Sequence, residues 1–290
     1  MGKKMQLDTR ESVRVVTTND FITACGLENI SLKARKLLYI AISQCTRTDE
    51  EFYEYEISAK KFAELMNVSP THVYEEADKI TDELMRGFIR IATTKSKKSF
   101  RKYSLFNKCE YSEEAVLRFK LNKDMTDFLL ELKGSFTQPL LHDFLHMNSP
   151  YSMAIWHLMQ REMRSKKAYG NKVIEFDLSL EELRQVTGTT DKLKQLVHFK
   201  ERVLDKALRE IKDNCGVKIT YTNTKSNRTV TGFHFTAVSP HYITPDRISK
   251  DTQDKVDLIE LKKKAKVREL TPEEQEEYER LIVNAEQISF

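Results

Sequence analysis

Apolar and polar positions alternate in the same way in two stretches of the chain. In residues 179–235, apolar residues recur at helical spacing in a short segment and, after a turn, in a longer one. Two segments rich in Val, Thr, Tyr and Phe follow, joined by a basic loop, which is the pattern of a β-hairpin. Short helix, turn, long helix and hairpin predict a winged helix-turn-helix, a fold that inserts its second helix into the DNA major groove.

The other stretch, residues 57–106, is a less regular copy. Glu54–Val68 (EYEISAKKFAELMNV) aligns without a gap with Glu175–Thr189 (EFDLSLEELRQVTGT), and both copies carry the tripeptide TKS between their predicted strands. Matches in the same order over roughly fifty residues indicate two copies of one supersecondary unit. The predicted fold class is α+β, with two tandem winged-helix domains that are mainly helical and carry small antiparallel sheets.

The long helix of the second copy is predicted over Asp191–Ile211, with an apolar stripe that includes Phe199 and Val203. The side chains predicted outside this stripe are Lys192, Lys194, Gln195, His198, Glu201, Arg202 and Asp205. Gln can pair with adenine and Arg with guanine, while Lys binds phosphate. The alternative is a solvated face with i,i+4 ion pairs. The adjoining short helix and basic hairpin favour DNA reading.

Cations also mark the two predicted hairpin loops, or wings, at residues 94–102 and 223–229. They are Lys95, Lys97, Lys98 and Arg101 in the first copy, and Lys225 and Arg228 in the second. Such cations are often only solubilising, but on a winged helix they reach flanking phosphates and make affinity salt-dependent.

The corresponding helix of the first copy has an acidic face that is poorly suited to groove entry, formed by Glu75, Glu76, Asp78 and Asp82. Its N-terminal residues Thr71, His72 and Tyr74 are the predicted DNA contacts. We therefore expect the first copy to read DNA less than the second and to offer a partner surface.

Composition adds few constraints. The 290 residues carry a net charge of +4, and acidic residues outnumber basic ones after residue 246, so the remainder is more basic than the total. A basic body suits a polyanionic partner. The start of the chain resembles no signal peptide and no apolar run approaches a membrane span, so a cytoplasmic protein with no membrane contact is expected.

Enzyme signatures are scarce. The sequence has no GxxxxGK[ST] phosphate loop, no paired CxxC motifs and no HExxH motif. Nothing marks a catalytic pair, and a nicking enzyme is disfavoured because no cluster of the HxH type with a nearby Tyr is present. We expect no catalytic activity, no metal and no cofactor.

Several segments together resemble the plasmid replication initiators of the Rep_3 type. They are NDFITACGL and LKARKLLYIAI, then SPYSMAIWHLMQ, then LSLEELRQVTG with FKERVLDKALREIKDN, and finally VKITY and KSNRTVTGFHF. The resemblance covers residues 14–237 and implies two tandem winged helices. It carries Gln195, His198, Lys200, Glu201 and Arg202 onto the DNA. Relatives commonly have a cation at the position of Glu201, so the resemblance does not predict which DNA sequence this chain recognises. A glutamate at this position can accept a hydrogen bond from cytosine.

The resemblance also implies partners. Monomers of that family bind repeated origin sequences (iterons), help to open adjacent AT-rich DNA and bind host replication proteins, here the host initiator and helicase. Dimers repress their own promoter. The implied function is thus an origin-binding initiator in monomer–dimer equilibrium; the alternative is a winged-helix transcriptional repressor with no initiating role.

We predict a first domain over residues 1–134, for dimerisation and DNA backbone contacts, and a second over 135–245, as the main DNA reader. The charged tail 246–290 lies outside the resemblance, and its sequence predicts a helix that begins with a capping box at Thr271.

Overall fold

The computed structural model describes residues 4–6, 8, 13–46, 49–92, 99–130, 136–165 and 173–238, together with residues 261, 271–272, 274–276 and 278–280. The helices are α1 (Asn19–Thr23), α2 (Leu32–Ser43), α3 (Ala59–Met66), α4 (Val73–Arg86), α5 (Thr126–Leu129), α6 (Leu141–Leu145), α7 (Pro150–Ser165), α8 (Leu180–Thr187), α9 (Leu196–Phe199) and α10 (Asp205–Cys215). The strands are β1 (Lys4–Gln6), β2 (Thr17–Thr18), β3 (Glu54–Ser58), β4 (Phe88–Ala92), β5 (Phe100–Ser104), β6 (Phe106–Tyr111), β7 (Val116–Leu121), β8 (Phe136–Thr137), β9 (Val173–Ser179), β10 (Lys218–Ser226) and β11 (Thr229–Val238).

The second stretch folds as the predicted winged helix. Residues of β9 are alternately exposed and buried, as expected for a strand with one face on a core. Strands β10, β11 and β9 form an antiparallel sheet in that order, over which α8 and the long helix pack. The core between helix and sheet is aromatic. The rings of Phe176 and Phe235 stack with their centres 5.4 Å apart, beside the buried Phe199 and Phe233.

The structure confirms the internal repeat. In both copies a strand ends at a serine whose hydroxyl caps the following helix: Ser58 accepts from the Lys61 amide at 3.3 Å, and Ser179 from the Glu182 amide at 3.0 Å. Both short helices then end at a residue in the left-handed conformation, Asn67 with φ 50° and Gly188 with φ 64°.

The copies differ in how the first strand pairs. In the second copy β9 joins the sheet of its own hairpin, whereas in the first copy β3 joins a four-stranded sheet of order β1-β3-β7-β6. Hairpin β4–β5 forms a separate two-stranded sheet. The first winged helix therefore has a sheet that its counterpart lacks.

The sequence of residues 101–111 (RKYSLFNKCEY) predicts a single strand, but the structure has two strands there, β5 and β6, so that prediction was wrong. The break lies at Leu105, which is fully buried. Its amide donates to the Gly87 carbonyl at 3.1 Å, and its carbonyl accepts from the Asn122 amide at 3.0 Å. Gly87 directly precedes β4 and Asn122 directly follows β7, so Leu105 is the residue at which the chain changes from pairing with β4 to pairing with β7.

Helix α7 lies at the centre of the chain and packs on both halves. Its Trp156 donates from Nε1 to Asp143 Oδ2 at 3.0 Å, and burial raises the pKa of Asp143 to about 6. Its His157 is fully enclosed between the Tyr39 hydroxyl, at 3.0 Å from Nδ1, and the Thr17 hydroxyl, at 3.0 Å from Nε2. Burial lowers the pKa of His157 to about 3, so the imidazole is neutral at physiological pH.

The two winged helices touch through α8. Gln185 Nε2 donates to the Thr23 carbonyl at 2.8 Å. A Cβ placed on Gly188 would lie 2.6 Å from the Cβ of Glu28, so this close approach requires glycine for space as well as for its positive φ. The expected boundary between residues 134 and 135 remains a prediction. The segment that follows it, including β8, pairs with the N-terminal segment that carries β2.

In the tail, the predicted capping box at Thr271 is confirmed. The Thr271 amide donates to Glu274 Oε2 at 3.1 Å, and the Glu274 amide donates to Thr271 Oγ1 at 3.3 Å. The sequence also predicts that this helix continues through Leu281 and Ile282, which lie outside the described residues. No helix in the described part of the chain is long and apolar enough to cross a membrane.

Candidate nucleic-acid interface

The turn between α8 and the long helix is shaped by one side chain, Arg184. Its guanidinium donates to four main-chain carbonyls: Nη1 to Thr189 at 2.9 Å and Lys192 at 3.1 Å, and Nη2 to Leu193 at 3.1 Å and Lys194 at 3.2 Å. Arg184 Cζ also lies 4.7 Å from the centre of the buried Phe199 ring. Burial lowers the pKa of the guanidinium, which nonetheless stays charged at neutral pH.

The long helix begins at Leu196, not at Asp191 as the periodicity predicted. Leu193 has a φ of 50°, which a right-handed helix excludes, and Arg184 holds the carbonyls of this turn away from helical geometry. Lys192 and Lys194 therefore lie in the turn, and Gln195 is the N-cap residue. All three side chains are exposed, so they remain available to DNA from the turn instead of from a helix face.

The middle of the long helix, Lys200–Leu204, is π-helical and joins α9 to α10 without a break. The Asp205 amide donates to the Lys200 carbonyl, five residues back. Such an insertion rotates the side chains that precede it relative to those that follow, and π-turns are frequent at functional sites. It moves Glu201 and Arg202 from the positions that a regular helix would give them.

The predicted DNA-reading residues of this helix separate into two groups. Glu201 and Arg202 are exposed, and within the described chain their side chains form no hydrogen bond or ion pair. His198 and Lys200 are half-buried, and Lys200 Nζ lies 5.0 Å from the centre of the Tyr221 ring. Among the residues of this helix predicted to read DNA, Glu201 and Arg202 are thus the two that are both exposed and without a side-chain partner in the described chain.

Asp205 is predicted on the exposed, DNA-reading face, but its side chain forms a hydrogen bond within the protein. It accepts a hydrogen bond from the Tyr221 hydroxyl at 2.8 Å, which ties the helix to β10. Burial and this carboxylate both raise the pKa of Tyr221. Asp205 also lines a groove between helix and sheet with Glu201 and Arg209.

The second wing is the tip of hairpin β10–β11. A two-residue turn at Asn227 and Arg228 connects the strands, with Asn227 at φ 54°. Lys225 lies two residues before it, next to an irregularity in the ladder at Thr224. Both predicted cations, Lys225 and Arg228, are exposed.

Removing both wing cations, by Lys225→Ala with Arg228→Ala, should weaken binding to specific and random duplexes alike. Each lost phosphate contact lowers the slope of log affinity against log salt by about one unit. Titrations between low and moderate salt measure this slope. Lys218→Ala, an exposed cation at the opposite end of β10, is the matched control. An unchanged slope in the double variant would mean that this wing stays off the DNA.

In the first winged helix, Thr71, His72 and Tyr74 are exposed at the start of α4, and Tyr74 meets Tyr111 edge to face at 5.6 Å. The acidic face is partly neutralised: Lys33 Nζ lies 2.8 Å from Glu76. Arg101 is exposed, but it lies within β5 opposite Ile91 and not at the hairpin tip as predicted. Lys95, Lys97 and Lys98 lie outside the described residues.

The sequence-based interpretation missed two residues of this surface. Arg184 gives no sequence signal, because a cation on a short amphipathic helix is ordinarily solvated. Val197 is 61% exposed. As an apolar residue outside the buried stripe of the long helix, it had a signal that was overlooked. Among the described residues, no group of three or more His, Cys, Asp or Glu side chains is placed to hold a metal ion.

Comparison with known proteins matches both units. A family model described as initiator replication protein, WH1, matches residues 14–160, and one described as initiator Rep protein, WH2, matches residues 179–237. The structure is similar to the crystal structure of Pi initiator protein in complex with iteron DNA. The TM-score is 0.65 at 21% identity, over 80% of this chain and 100% of that one. No match was found among curated protein sequences.

Proposed function

This chain belongs to the initiator replication protein family, and from that premise we propose that it starts plasmid replication by binding repeated sequences of the origin. One observation carries the proposal: the two family models match the two winged helices in order, over the segments where the structure has them. The chain is a sequence-specific DNA-binding protein of two tandem winged helices.

The second winged helix is the proposed main reader. Its turn presents Lys192, Lys194 and Gln195, and its long helix presents Glu201 and Arg202. These groups combine phosphate-binding cations with one acceptor and one bidentate donor, which is what major-groove reading requires. The acidic, partly paired face of α4 supports a smaller share of base reading for the first winged helix.

Further properties belong to the same proposal. We infer a cytoplasmic protein that acts without catalytic chemistry, cofactor or metal. The first domain provides dimerisation, and a dimer represses the initiator's own promoter. The host replication initiator and helicase are the proposed protein partners once the origin is open.

The test is binding to the DNA beside the gene. Tandem repeats of about 20 base pairs, two helical turns, match the span of two winged helices on one DNA face. The protein should bind a duplex with one such repeat at least a thousandfold more tightly than a scrambled duplex. Deleting the repeats should abolish replication of a plasmid that carries the origin. Binding restricted to a promoter, with replication unaffected by the deletion, would favour the repressor.

A further inference from the structure

Val197 is the second residue of the long helix and is 61% exposed. Its neighbours Leu196 and Phe199 pack towards the core, and Phe199 is fully buried. The other strongly exposed valines of this unit, Val173 and Val238, lie opposite one another at the far end of the sheet. Within the described chain, Val197 is thus the one large apolar side chain exposed on the turn and the long helix.

The surroundings of Val197 are polar. Lys194 lies in the turn, three residues before Val197, and Glu201 lies four residues after it, in the π-helical segment. Both are exposed. An isolated apolar side chain between two charged ones cannot serve a phosphate, because it neither donates a hydrogen bond nor carries charge. Its chemistry suits an apolar group on the DNA.

The major groove offers one such group at the base edges, the 5-methyl of thymine. The N-terminal residues of a recognition helix are those that contact base edges. Valine is also β-branched, and in a helix it holds essentially one χ1 rotamer, so its two methyl groups have a fixed direction before DNA arrives. The position, the exposure and the restricted rotamer of Val197 therefore all favour the thymine 5-methyl group as its contact.

We propose that Val197 is a specificity-determining residue that recognises a thymine by packing against its 5-methyl group. The inference rests on the proposed function and adds one base to it. Together with Arg202 and Glu201, the helix then presents three different chemistries to three base edges: an apolar contact, a donor pair and an acceptor.

The experiment removes, in turn, the thymine 5-methyl group on the DNA and the two methyl groups of Val197 on the protein. Every thymine of one origin repeat is replaced singly by deoxyuridine, which removes only the 5-methyl, and affinities are measured for the wild-type protein and for Val197→Ala. For the wild type, one replacement should weaken binding about fourfold, the value of one buried methyl group. In Val197→Ala the same replacement should have no effect, because the partner methyls are already gone.

Val173→Ala is the matched control, since Val173 is 50% exposed and lies on β9, at the far end of the sheet. It should keep the wild-type response to deoxyuridine. Val197→Ala should melt like the wild type, because the side chain has few contacts to lose. Specific binding in which no thymine depends on Val197 would overturn this inference alone. Binding no tighter to the repeat than to a scrambled duplex would overturn the proposed function, and the role of Val197 with it.

Discussion

Arg184→Ala should weaken specific DNA binding by about thirtyfold, close to 2 kcal/mol, although Arg184 is not proposed to touch DNA. The wild-type guanidinium holds the turn through four carbonyls, Thr189, Lys192, Leu193 and Lys194. Without it, water satisfies the carbonyls but the turn is no longer fixed. Ordering each residue again on binding costs about 1–2 kcal/mol, and the turn carries three of the proposed contacts.

Two controls separate this effect from simple loss of charge. Arg184→Lys keeps the charge but cannot form the planar four-bond arrangement, so its affinity should resemble that of Arg184→Ala. Lys212→Ala removes an exposed cation near the end of α10 and should bind normally. Hydrogen exchange of the amides in residues 189–195 should accelerate in both Arg184 variants only. Unchanged exchange together with unchanged affinity would refute the assigned role of Arg184.

The second large effect is expected at Arg202. Arg202→Ala should cost about 1–3 kcal/mol on the specific repeat and relax discrimination at one base pair, since a bidentate Arg–guanine contact contributes that much. The side chain is exposed and unpaired within the described chain, so the variant should keep its full stability. Affinities for repeats changed at each base pair in turn measure the relaxed position.

Arg209→Ala is the control for Arg202, because it removes the same charge from an exposed site seven residues further along the helix. It should change affinity little and leave the base preference intact. If Arg202→Ala weakens specific and random duplexes equally, the residue binds phosphate and its assignment to a base is wrong.

The elements with strong periodicity could be predicted from sequence. The stripe through Val203 and Ile211 is buried, and a short helix is followed by a longer one in both copies, as the pattern predicts. What failed depends on contacts between distant residues. The start of the long helix is set by Arg184 and by the backbone of Leu193, and the break at Leu105 is set by Gly87 and Asn122. The periodicity of apolar residues indicates which face of a helix is buried, but it does not identify hydrogen-bond partners that are distant in the sequence.

The candidate site was predictable to a similar extent. Charge and spacing identified Arg202, Glu201 and the second-wing cations Lys225 and Arg228, all of which are exposed. Asp205 has the same spacing but bonds to Tyr221 in the neighbouring strand, a partner that no helix pattern reveals. The π-helical segment could not be predicted from the sequence either, because a single wider turn leaves the apolar stripe of the helix intact.

The residues proposed to contact DNA are different from those that shape the turn, and this separation has an evolutionary consequence. Val197, Glu201 and Arg202 are exposed, while Arg184 and the buried Phe199 shape the turn behind them through contacts within the protein. Exchanges at the three outward positions should leave folding stability nearly unchanged. An initiator built in this way can therefore drift to a new origin sequence one base pair at a time, so related plasmids can diverge into lineages that no longer recognise each other's origins.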